Sequence, residues 1–201
     1  MLVVGLGNSG GEIAIDLHEH GAQPTIAVRS AVNVIPRELL GLPILMVGAV
    51  FRPFPPKVAD LMAAPLLALS LGNVKRLGLR KRPYGAMEQI KRDGRVPLID
   101  VGTLALMREG HVKITPGVQR FTETCAIFED GTVQCFDAVV LATGYRPGLE
   151  EFLPSARSGE ASSGLHFCGF HLSTRGMLKE IGIEAQRIAR GIALALKSQA
   201  A

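Results

Sequence analysis

The sequence has few cysteines and no tryptophan: its 201 residues contain only Cys125, Cys135 and Cys168. No two of these cysteines form the Cys-x-x-Cys spacing typical of structural zinc sites, so we expect neither a zinc site nor a disulfide scaffold. The N-terminus shows no signal-peptide pattern, and a low cysteine content is typical of a reducing compartment. We therefore expect a cytoplasmic location.

Two of the cysteines, Cys125 and Cys135, flank Asp130-Gly131, a dipeptide typical of two-residue β-hairpin loops. Counting outward from such a loop places Ala126, and not Cys125, opposite Cys135. Successive side chains of a strand point to opposite faces, so this register puts the two sulfurs on different faces. We expect no disulfide between them.

The chain has no uninterrupted apolar run of membrane-spanning length. Its most apolar stretch, Leu39 to Leu71, is broken by prolines into pieces shorter than the ~20 residues that a spanning helix requires. We expect no transmembrane span. Two interpretations of the stretch stay open: short helices that cover a core, or an apolar surface that meets a membrane or another part of the protein.

Aromatic residues are also scarce, at 5% of the chain, and the formal net charge is only +4. One dense basic cluster runs from Lys75 to Arg82, with no aromatic residue inside it. Surfaces that bind single-stranded nucleic acid interleave basic and aromatic side chains, because the rings stack on bases. We therefore expect a solvated basic face and no nucleic-acid partner.

What the sequence does contain is a strand-helix-strand pattern at its start. Leu2 to Val4 form an apolar strand, Ile13 and Leu17 recur at helical spacing before Gly21, and Thr25 to Val28 form a second strand. This order predicts an α/β fold with a Rossmann-like doubly wound sheet.

Further elements follow along the chain. Pro97 to Val101 predict a strand, and the continuous apolar run from Ala138 to Ala142 predicts a central one. Gln119 to Asp137 predict the two strands of an antiparallel hairpin. Leu165 to Phe170 predict another strand, and Ile183 to Leu196 an amphipathic helix.

A glycine motif joins the first strand to the first helix. Gly5-Leu6-Gly7-Asn8-Ser9-Gly10 fits the pattern G-x-G-x-x-G. Its glycines allow a tight turn, close approach of the backbone to a pyrophosphate and packing of helix on strand, while the helix N-terminus offers free N–H groups. With a strand before it and a helix after it, the motif predicts a dinucleotide site.

Arg29 and Ser30 stand at the end of the second strand, about twenty residues beyond the motif, where the ribose is contacted. An acidic residue there would favour NAD. A guanidinium and a hydroxyl instead suit the 2′-phosphate of NADP. We predict NADPH binding; the alternative is a structural glycine turn with a surface arginine.

The same turn also spells G-x-S-x-G, through Gly7 and Ser9 to Gly11, which is the context of a hydrolase nucleophile elbow. Asp137 and His166 follow in the chain order that an α/β-hydrolase requires. An elbow at residue 9 leaves no upstream loop to supply the second oxyanion donor, so we rank this alternative below the dinucleotide site.

Leu141 to Tyr145 follow an apolar strand with small residues in a turn. Such a turn lies where the carboxyl end of a strand meets a ligand or a neighbouring domain, or it simply ends the strand. His166, Cys168 and His171 are the only clustered metal-type ligands. Their spacing matches no metal motif, so we expect no metal.

Five motifs occur in order: Gly5 to Gly10, Val28-Arg29-Ser30, Pro97 to Gly102, Leu141 to Tyr145, and Gly169-Phe170 with Arg175-Gly176. Together they resemble the C-terminal half of the flavin-containing monooxygenases, and especially the YUCCA type of plants. The resemblance covers nearly the whole chain and rests on the order and spacing of the set.

In that family NADPH reduces FAD, and the reduced flavin uses O₂ to oxygenate a substrate. The resemblance implies a division into an NADPH-binding domain at 1–137, with a proline-broken insert at 39–72, and a C-terminal segment of the FAD-binding domain at 138–201. The YUCCA-like features imply that the substrate is an indole-derived 2-oxo acid or a similar small organic molecule.

The resemblance also assigns residues to the cofactors. The NADP pyrophosphate would lie against Gly5, Gly7, Asn8, Ser9 and Gly10, and the 2′-phosphate against Arg29 and Ser30. The crossing into the FAD-binding domain would be formed by Thr143, Gly144 and Tyr145. Gly169 and Phe170 would lie near the flavin.

The family carries a further glycine fingerprint for FAD, whereas this chain contains one G-x-G-x-x-G in total. We therefore expect a truncated chain that neither retains FAD nor oxygenates a substrate alone, and that packs against a missing FAD-binding half or another flavoprotein chain. The alternative is a remnant or partner module that binds NADP, or docks through the Leu39 to Leu71 surface, without catalysis.

Overall fold

The computed structural model describes residues 1–51, 53–145, 148, 151, 153, 164–170 and 176–199. The strands are β1 (Leu2–Val4), β2 (Thr25–Val28), β3 (Val34–Pro36), β4 (Glu38–Leu39), β5 (Leu42–Pro43), β6 (Leu98–Asp100), β7 (Lys113–Pro116), β8 (Val118–Phe121), β9 (Cys125–Phe128), β10 (Val133–Cys135) and β11 (Val139–Leu141). The α-helices are α1 (Asn8–Glu19), α2 (Ile44–Phe51), α3 (Pro56–Leu71), α4 (Ala86–Asp93), α5 (Thr103–Glu109) and α6 (Met177–Gln199). A 3₁₀ helix covers Val74–Leu77.

A four-stranded parallel sheet, in the order β11-β1-β2-β7, organises the fold. The predicted strand-helix-strand unit is confirmed as β1, α1 and β2, with Leu2 paired to Thr25 in parallel register. Side chains alternate across β1, so that Val3 and Leu2 are both fully buried but in different clusters. The sheet therefore needs cover on two faces, which is typical of a Rossmann-like arrangement.

Helices cover the first face of the sheet. Val3 and Ile26 pack there against Ala14 of α1 and against Leu104 and Met107 of α5. The same cluster includes Leu98 of β6, which pairs with β3 in a separate parallel pair. The α/β class with a parallel sheet is thus confirmed.

The second face is covered by an antiparallel sheet in the order β10-β9-β8. Ala126 and Phe128 of β9 pack on Leu2 of β1 and Ala27 of β2. The predicted hairpin is present as β9 and β10, but the segment from Gln119 to Asp137 holds parts of three strands, because a turn at Thr122 separates β8 from β9.

The predicted hairpin register is wrong. The Phe128 N–H donates to the Thr132 carbonyl, so the loop holds three residues, Glu129 to Gly131, rather than two. Gly131 has a φ of +83°, the left-handed residue that closes a three-residue hairpin loop. Cys125 therefore lies opposite Cys135, and a disulfide joins them, contrary to our expectation.

Two other expectations are corrected. The strand predicted at Ala138 to Ala142 exists as β11, but it is an edge strand of the four-stranded sheet, with Leu141 69% exposed. β11 pairs with β1 on one side only, so its apolar run did not indicate a strand with neighbours on both sides. Leu165 to Phe170 form no strand; they lie instead against α6, with the Gly169 N–H donating to Glu184.

The proline-broken insert folds into the two helices α2 and α3, as one of the two interpretations expected, but only α3 has buried residues, Ala59 and Leu71. Pro56 begins α3 and Pro65 lies inside it. Asp60 of α3 accepts hydrogen bonds from the N–H groups of Met87 and Glu88, which fastens α3 to the start of α4. Across the described residues, no helix combines the length and the apolar character needed to cross a bilayer.

Candidate functional site

The glycine turn packs closely against the carboxyl end of β11. Gly5 has a φ of +109°, and a Cβ added there would lie 2.5 Å from the Ala142 carbonyl oxygen. A Cβ at Gly10 would collide with the Gly5 carbonyl oxygen. These two glycines are thus required by the turn itself and by the packing of helix on strand.

Gly7 differs, because a Cβ added there would meet no atom within 4 Å. It is exposed and caps α1 with no side-chain hydrogen bond. The first N–H groups of α1 consequently have no side-chain acceptor among the described residues, and Ser9 in the same turn is exposed. Such a helix start accommodates an anion by hydrogen bonding and by the helix dipole.

Asn8 is the first residue of α1 and connects it to the neighbouring strand. Its Oδ1 accepts a hydrogen bond of 2.8 Å from the Ile99 N–H of β6. On β6, Asp100 then accepts hydrogen bonds from Gly102 and Leu104, at the start of α5. The side-chain oxygen of Asn8 thereby fixes the turn relative to β6, and its amide nitrogen makes no hydrogen bond with the described residues.

Arg29 and Ser30 follow β2 and are both exposed, beside the glycine turn's own strand. The Gly5 N–H donates to the Ala27 carbonyl, so the turn and the end of β2 are held together. Arg80 approaches from the basic cluster and donates to the Arg29 carbonyl, while the Val32 N–H donates to the Arg80 carbonyl. Two arginines therefore meet at the end of β2.

The basic cluster lines an open surface cavity of about 440 Å³, and Lys75, Arg80 and Lys81 are exposed there, as expected of a solvated face. Its lining residues are Lys75, Gly78, Leu79, Arg80 and Lys81. Leu79 is buried in the core and anchors this segment, and the Arg80 side chain next to it reaches the end of β2. The basic side chains around this cavity give the surface beside the end of β2 a positive charge.

Thr143, Gly144 and Tyr145 lie where the chain leaves β11. The Ala142 N–H donates to the Val4 carbonyl, so this exit is directly beside the glycine turn. Tyr145 is 100% exposed and has no packing partner among the described residues. The structure thus brings the start of this predicted crossing close to the glycine turn.

Gly169 and Phe170 belong to a separate cluster on α6. A Cβ at Gly169 would lie 3.3 Å from the Ile181 side chain, and Phe170 packs edge to face on Phe167 at 5.8 Å between ring centroids. Gly176 lies near Leu45 of α2. Arg175, named in the last motif, lies outside the described residues.

The hydrolase alternative finds no triad. Ser9 is exposed in the first turn of α1 and makes no hydrogen bond with Asp137 or His166 in the part of the chain that the structure describes. The same part holds no cluster of potential metal ligands. His171 lies outside the described residues.

Arg80, Lys81 and the link between Asn8 and Ile99 were not predicted as parts of the site. The signal for Arg80 and Lys81 was present as the basic cluster, but nothing local connects residue 80 with residue 29. The hydrogen bond from Ile99 to Asn8 spans 91 residues. Both depend on tertiary packing that sequence periodicity does not encode.

Comparison with known proteins finds similarity to monooxygenases at the level of family, sequence and structure. The model of the flavin-binding monooxygenase-like family matches residues 1–163. The probable indole-3-pyruvate monooxygenase YUCCA3 of Arabidopsis thaliana is 36% identical, covering 96% of this chain and 47% of that protein. The indole-3-pyruvate monooxygenase YUCCA1 of Oryza sativa subsp. japonica is 38% identical, covering 88% of this chain and 44% of that protein.

Among solved structures, cyclohexanone monooxygenase from Rhodococcus sp. Phi1 bound to NADP⁺ matches with a TM-score of 0.50 and 15% identity. The match covers 71% of this chain and 38% of that one, and it indicates a shared fold. The chain spans about half the length of the curated relatives it matches.

Proposed function

Since this chain belongs to the flavin-binding monooxygenase-like family, we propose that it forms the NADPH-binding part of a flavin-dependent monooxygenase. The observation that carries this proposal is the pairing of an uncapped, open helix start at Gly7 with two arginines, Arg29 and Arg80, at the end of β2. A pyrophosphate fits the first feature and a 2′-phosphate fits the second.

In this proposal the residues of the turn have different tasks. Gly7 gives the backbone of α1 access to the pyrophosphate, and the N–H groups around Ser9 donate to it. Gly5 and Gly10 hold the shape of the turn, and Asn8 orients it through Ile99. Arg29 and Ser30 bind the 2′-phosphate, with Arg80 and Lys81 adding charge from the neighbouring cavity.

We assign residues 1–137 to the NADPH-binding domain and 138–201 to a segment of the FAD-binding domain. Thr143, Gly144 and Tyr145 form the crossing, and their exposure suits a segment that a further domain covers. We assign Gly169 and Phe170 to the flavin side, where the Gly169 N–H donates to Glu184 of α6 and Phe170 packs on Phe167.

FAD supplies the redox chemistry that activates oxygen in the complete enzyme. Its pyrophosphate needs a glycine turn and helix start of its own, and the single such turn of this sequence is the one assigned to NADPH. These 201 residues therefore do not retain FAD, and they oxygenate nothing without a FAD-binding half. The exposed apolar side chains of α2 and α6 support such a partner.

The substrate of the complete enzyme is a small organic molecule. The relatives named above are indole-3-pyruvate monooxygenases, which favours an indole-derived 2-oxo acid or a compound of similar size. The location proposed for the protein is the cytoplasm, where NADPH is maintained as a reductant.

The experiment that tests the nucleotide site is titration calorimetry of the full chain with NADPH and NADH. We expect tighter binding of NADPH. Arg29→Ala should weaken NADPH by ~1.5 to 3 kcal/mol, the usual loss of a hydrogen bond to a charged group, and leave NADH nearly unchanged. Arg187→Ala is the matched control, because Arg187 is an exposed arginine of α6.

Equal affinity for the two nucleotides in the unsubstituted chain would remove the assignment of Arg29. A loss that is identical for NADPH and NADH would mean that Arg29 supports the fold rather than the 2′-phosphate. Covalent labelling of Ser9 by a serine-directed phosphonate would revive the hydrolase alternative.

A second candidate function is a non-catalytic module that binds NADP or docks on another flavoprotein chain. The exposed apolar side chains of α2 and α3, Leu45, Met46, Val50 and Leu61, favour it. Co-expression with a FAD-binding segment of a relative separates the two. A yellow complex with NADPH-dependent oxygen consumption supports the enzyme, and a colourless complex without it supports the module.

A further inference from the structure

The disulfide between Cys125 and Cys135 crosses two adjacent strands of the hairpin that covers the second sheet face. The two residues are direct partners in the β9–β10 register, with their Cα atoms 3.8 Å apart. Cys125 is half-buried and Cys135 is exposed, as is every residue of β10. Cys135 is thus the more exposed residue of the pair, on the side from which a dissolved thiol approaches.

The hairpin is held together by contacts that do not involve sulfur. The Phe136 N–H donates to the Thr124 carbonyl at 3.2 Å, directly beside the disulfide. At the other end, the Phe128 N–H donates to the Thr132 carbonyl at 2.9 Å. Opening the disulfide therefore leaves both sulfurs in the same register, where they can re-form the bond within one molecule.

Packing on the sheet adds to this independence. Phe136, next to Cys135, meets Phe128 edge to face at 6.4 Å between ring centroids. Phe128 is buried against Leu2 and Ala27 of the parallel sheet. Reduction consequently removes a link at the exposed margin of the hairpin and leaves the apolar attachment of β9 and Phe136 intact.

The surroundings also favour a particular direction of attack. The Thr124 hydroxyl lies 3.4 Å from Cys125 Sγ, where it can donate to a thiolate that leaves from Cys125. Disulfide exchange is faster when the attacked sulfur is accessible and the leaving thiolate is stabilised. The accessible sulfur is that of Cys135, and the stabilised leaving group is that of Cys125.

We propose that Cys125 and Cys135 form a reversible thiol–disulfide site for the glutathione couple. A glutathione thiolate attacks Cys135 Sγ, the bond to Cys125 breaks, and Cys125 leaves as a thiolate that takes up a proton. A second glutathione attacks the mixed disulfide, which releases oxidised glutathione and returns Cys135 as a thiol. The overall exchange consumes two glutathione thiols and yields two protein thiols and one glutathione disulfide; oxidised glutathione reverses it.

The test equilibrates the folded full chain, carrying Cys168→Ser to remove the exposed third thiol, with reduced and oxidised glutathione at varied ratios. Trapping with a maleimide and mass measurement give the oxidised fraction. We expect the oxidised fraction to fall reversibly from nearly one to nearly zero as the ratio of reduced to oxidised glutathione is raised at millimolar total glutathione. This should occur without denaturant and with unchanged far-UV circular dichroism. A pair that is reduced only after denaturation, or that never re-forms, would overturn the proposal.

Two matched variants test the direction of attack. In Cys125→Ser the remaining Cys135 should form a mixed disulfide with oxidised glutathione ~10-fold faster than the remaining Cys125 does in Cys135→Ser, because exposure governs access to the sulfur. Equal rates, or faster reaction at Cys125, would overturn the assigned direction. Should either variant fail to fold, peptide mapping of the transient mixed disulfide in the Cys168→Ser chain gives the same answer.

Discussion

The glycine turn with its parallel sheet differs from the insert with α6 in how much of its apolar side chains it buries. Around the turn, β1 and β2 are buried on both faces, and Leu104 of α5 has no exposed surface. In the insert, α2 has no buried residue at all, although it is the most apolar helix described. On α6, Leu178 is 87% exposed.

In the first region, the chain's own contacts bury the apolar side chains and stabilise the fold. In the second, apolar side chains remain exposed. Apolar groups stabilise a fold only when they leave water, so Leu104 stabilises this chain and Leu178 does not. The glycine turn belongs to the first kind. The surfaces around α2 and α6 belong to the second, which agrees with the proposal that a FAD-binding half covers them.

The largest effect that tests this comparison is the loss of a buried leucine. Leu104→Ala should lower the free energy of unfolding by ~3 kcal/mol, because it removes apolar contacts and leaves a cavity between α5 and the sheet. Leu178→Ala, the matched change on α6, should alter it by less than ~0.5 kcal/mol. Urea unfolding followed by circular dichroism measures both. Similar losses in the two variants would mean that α6 packs as firmly as α5.

A smaller effect comes from the turn itself. Gly10→Ala should destabilise the chain by about 2 kcal/mol, because its Cβ collides with the Gly5 carbonyl oxygen and α1 must shift away from β1. Gly7→Ala adds a methyl group in open space and should leave the unfolding free energy nearly unchanged.

The substitution at Gly7 is instead expected to affect the affinity for NADPH. Gly7→Ala should still weaken NADPH in calorimetry, because the added methyl group occupies space that the proposal gives to the pyrophosphate. Unchanged affinity in a folded Gly7→Ala protein would contradict the placement of the phosphate at this turn, while leaving the role of Gly10 intact.

The sequence was sufficient for the turn because its signals are local. A short apolar strand, three spaced glycines and a helical repeat all lie within Leu2 to Val28, and each predicts the same unit. The strand-helix-strand order and the α/β class followed directly. The presence of α6 was also predicted, since Ile188 and Ile192 repeat at helical spacing, but the predicted span from Ile183 to Leu196 was shorter than the observed helix, Met177–Gln199.

The sequence was insufficient where geometry depends on partners or on one loop residue. Asp130-Gly131 is compatible with two- and three-residue loops, and choosing the shorter one moved Cys125 out of register with Cys135. The apolar run of β11 predicted a central strand, whereas its exposed side faces no described strand. Arg80 contacts Arg29 across 51 residues of sequence, and no periodic pattern in the sequence predicts that contact.

Asn8 offers a way to weaken the link between the glycine turn and β6 without touching the core. Asn8→Ala leaves the Ile99 N–H without its acceptor and should cost ~1 kcal/mol of unfolding free energy. Asn8→Asp keeps an oxygen acceptor and should recover most of that stability. Amide hydrogen exchange at Ile99 provides the local readout, since its protection should fall in the alanine variant alone. Equal protection in both variants would show that Asn8 does not hold β6.

The smallest expected effect is a pH dependence at the hairpin loop. The Thr132 hydroxyl and then the Thr132 N–H donate to Asp130 Oδ1, at 2.6 Å and 3.0 Å, and these bonds hold the pKa of the Asp130 carboxyl below its ordinary value. A carboxyl whose pKa is lower in the folded than in the unfolded chain stabilises the fold above the unfolded pKa, near ~3.9. That contribution is lost as the pH falls through the folded pKa. Because Asp130 is fully exposed, the change is confined to the loop.

In a carboxyl NMR titration, Thr132→Val should raise the Asp130 midpoint toward its ordinary value, whereas Thr124→Val, a matched change in the same hairpin, should not move it. A midpoint that stays low in Thr132→Val would assign the shift to a donor other than the Thr132 hydroxyl.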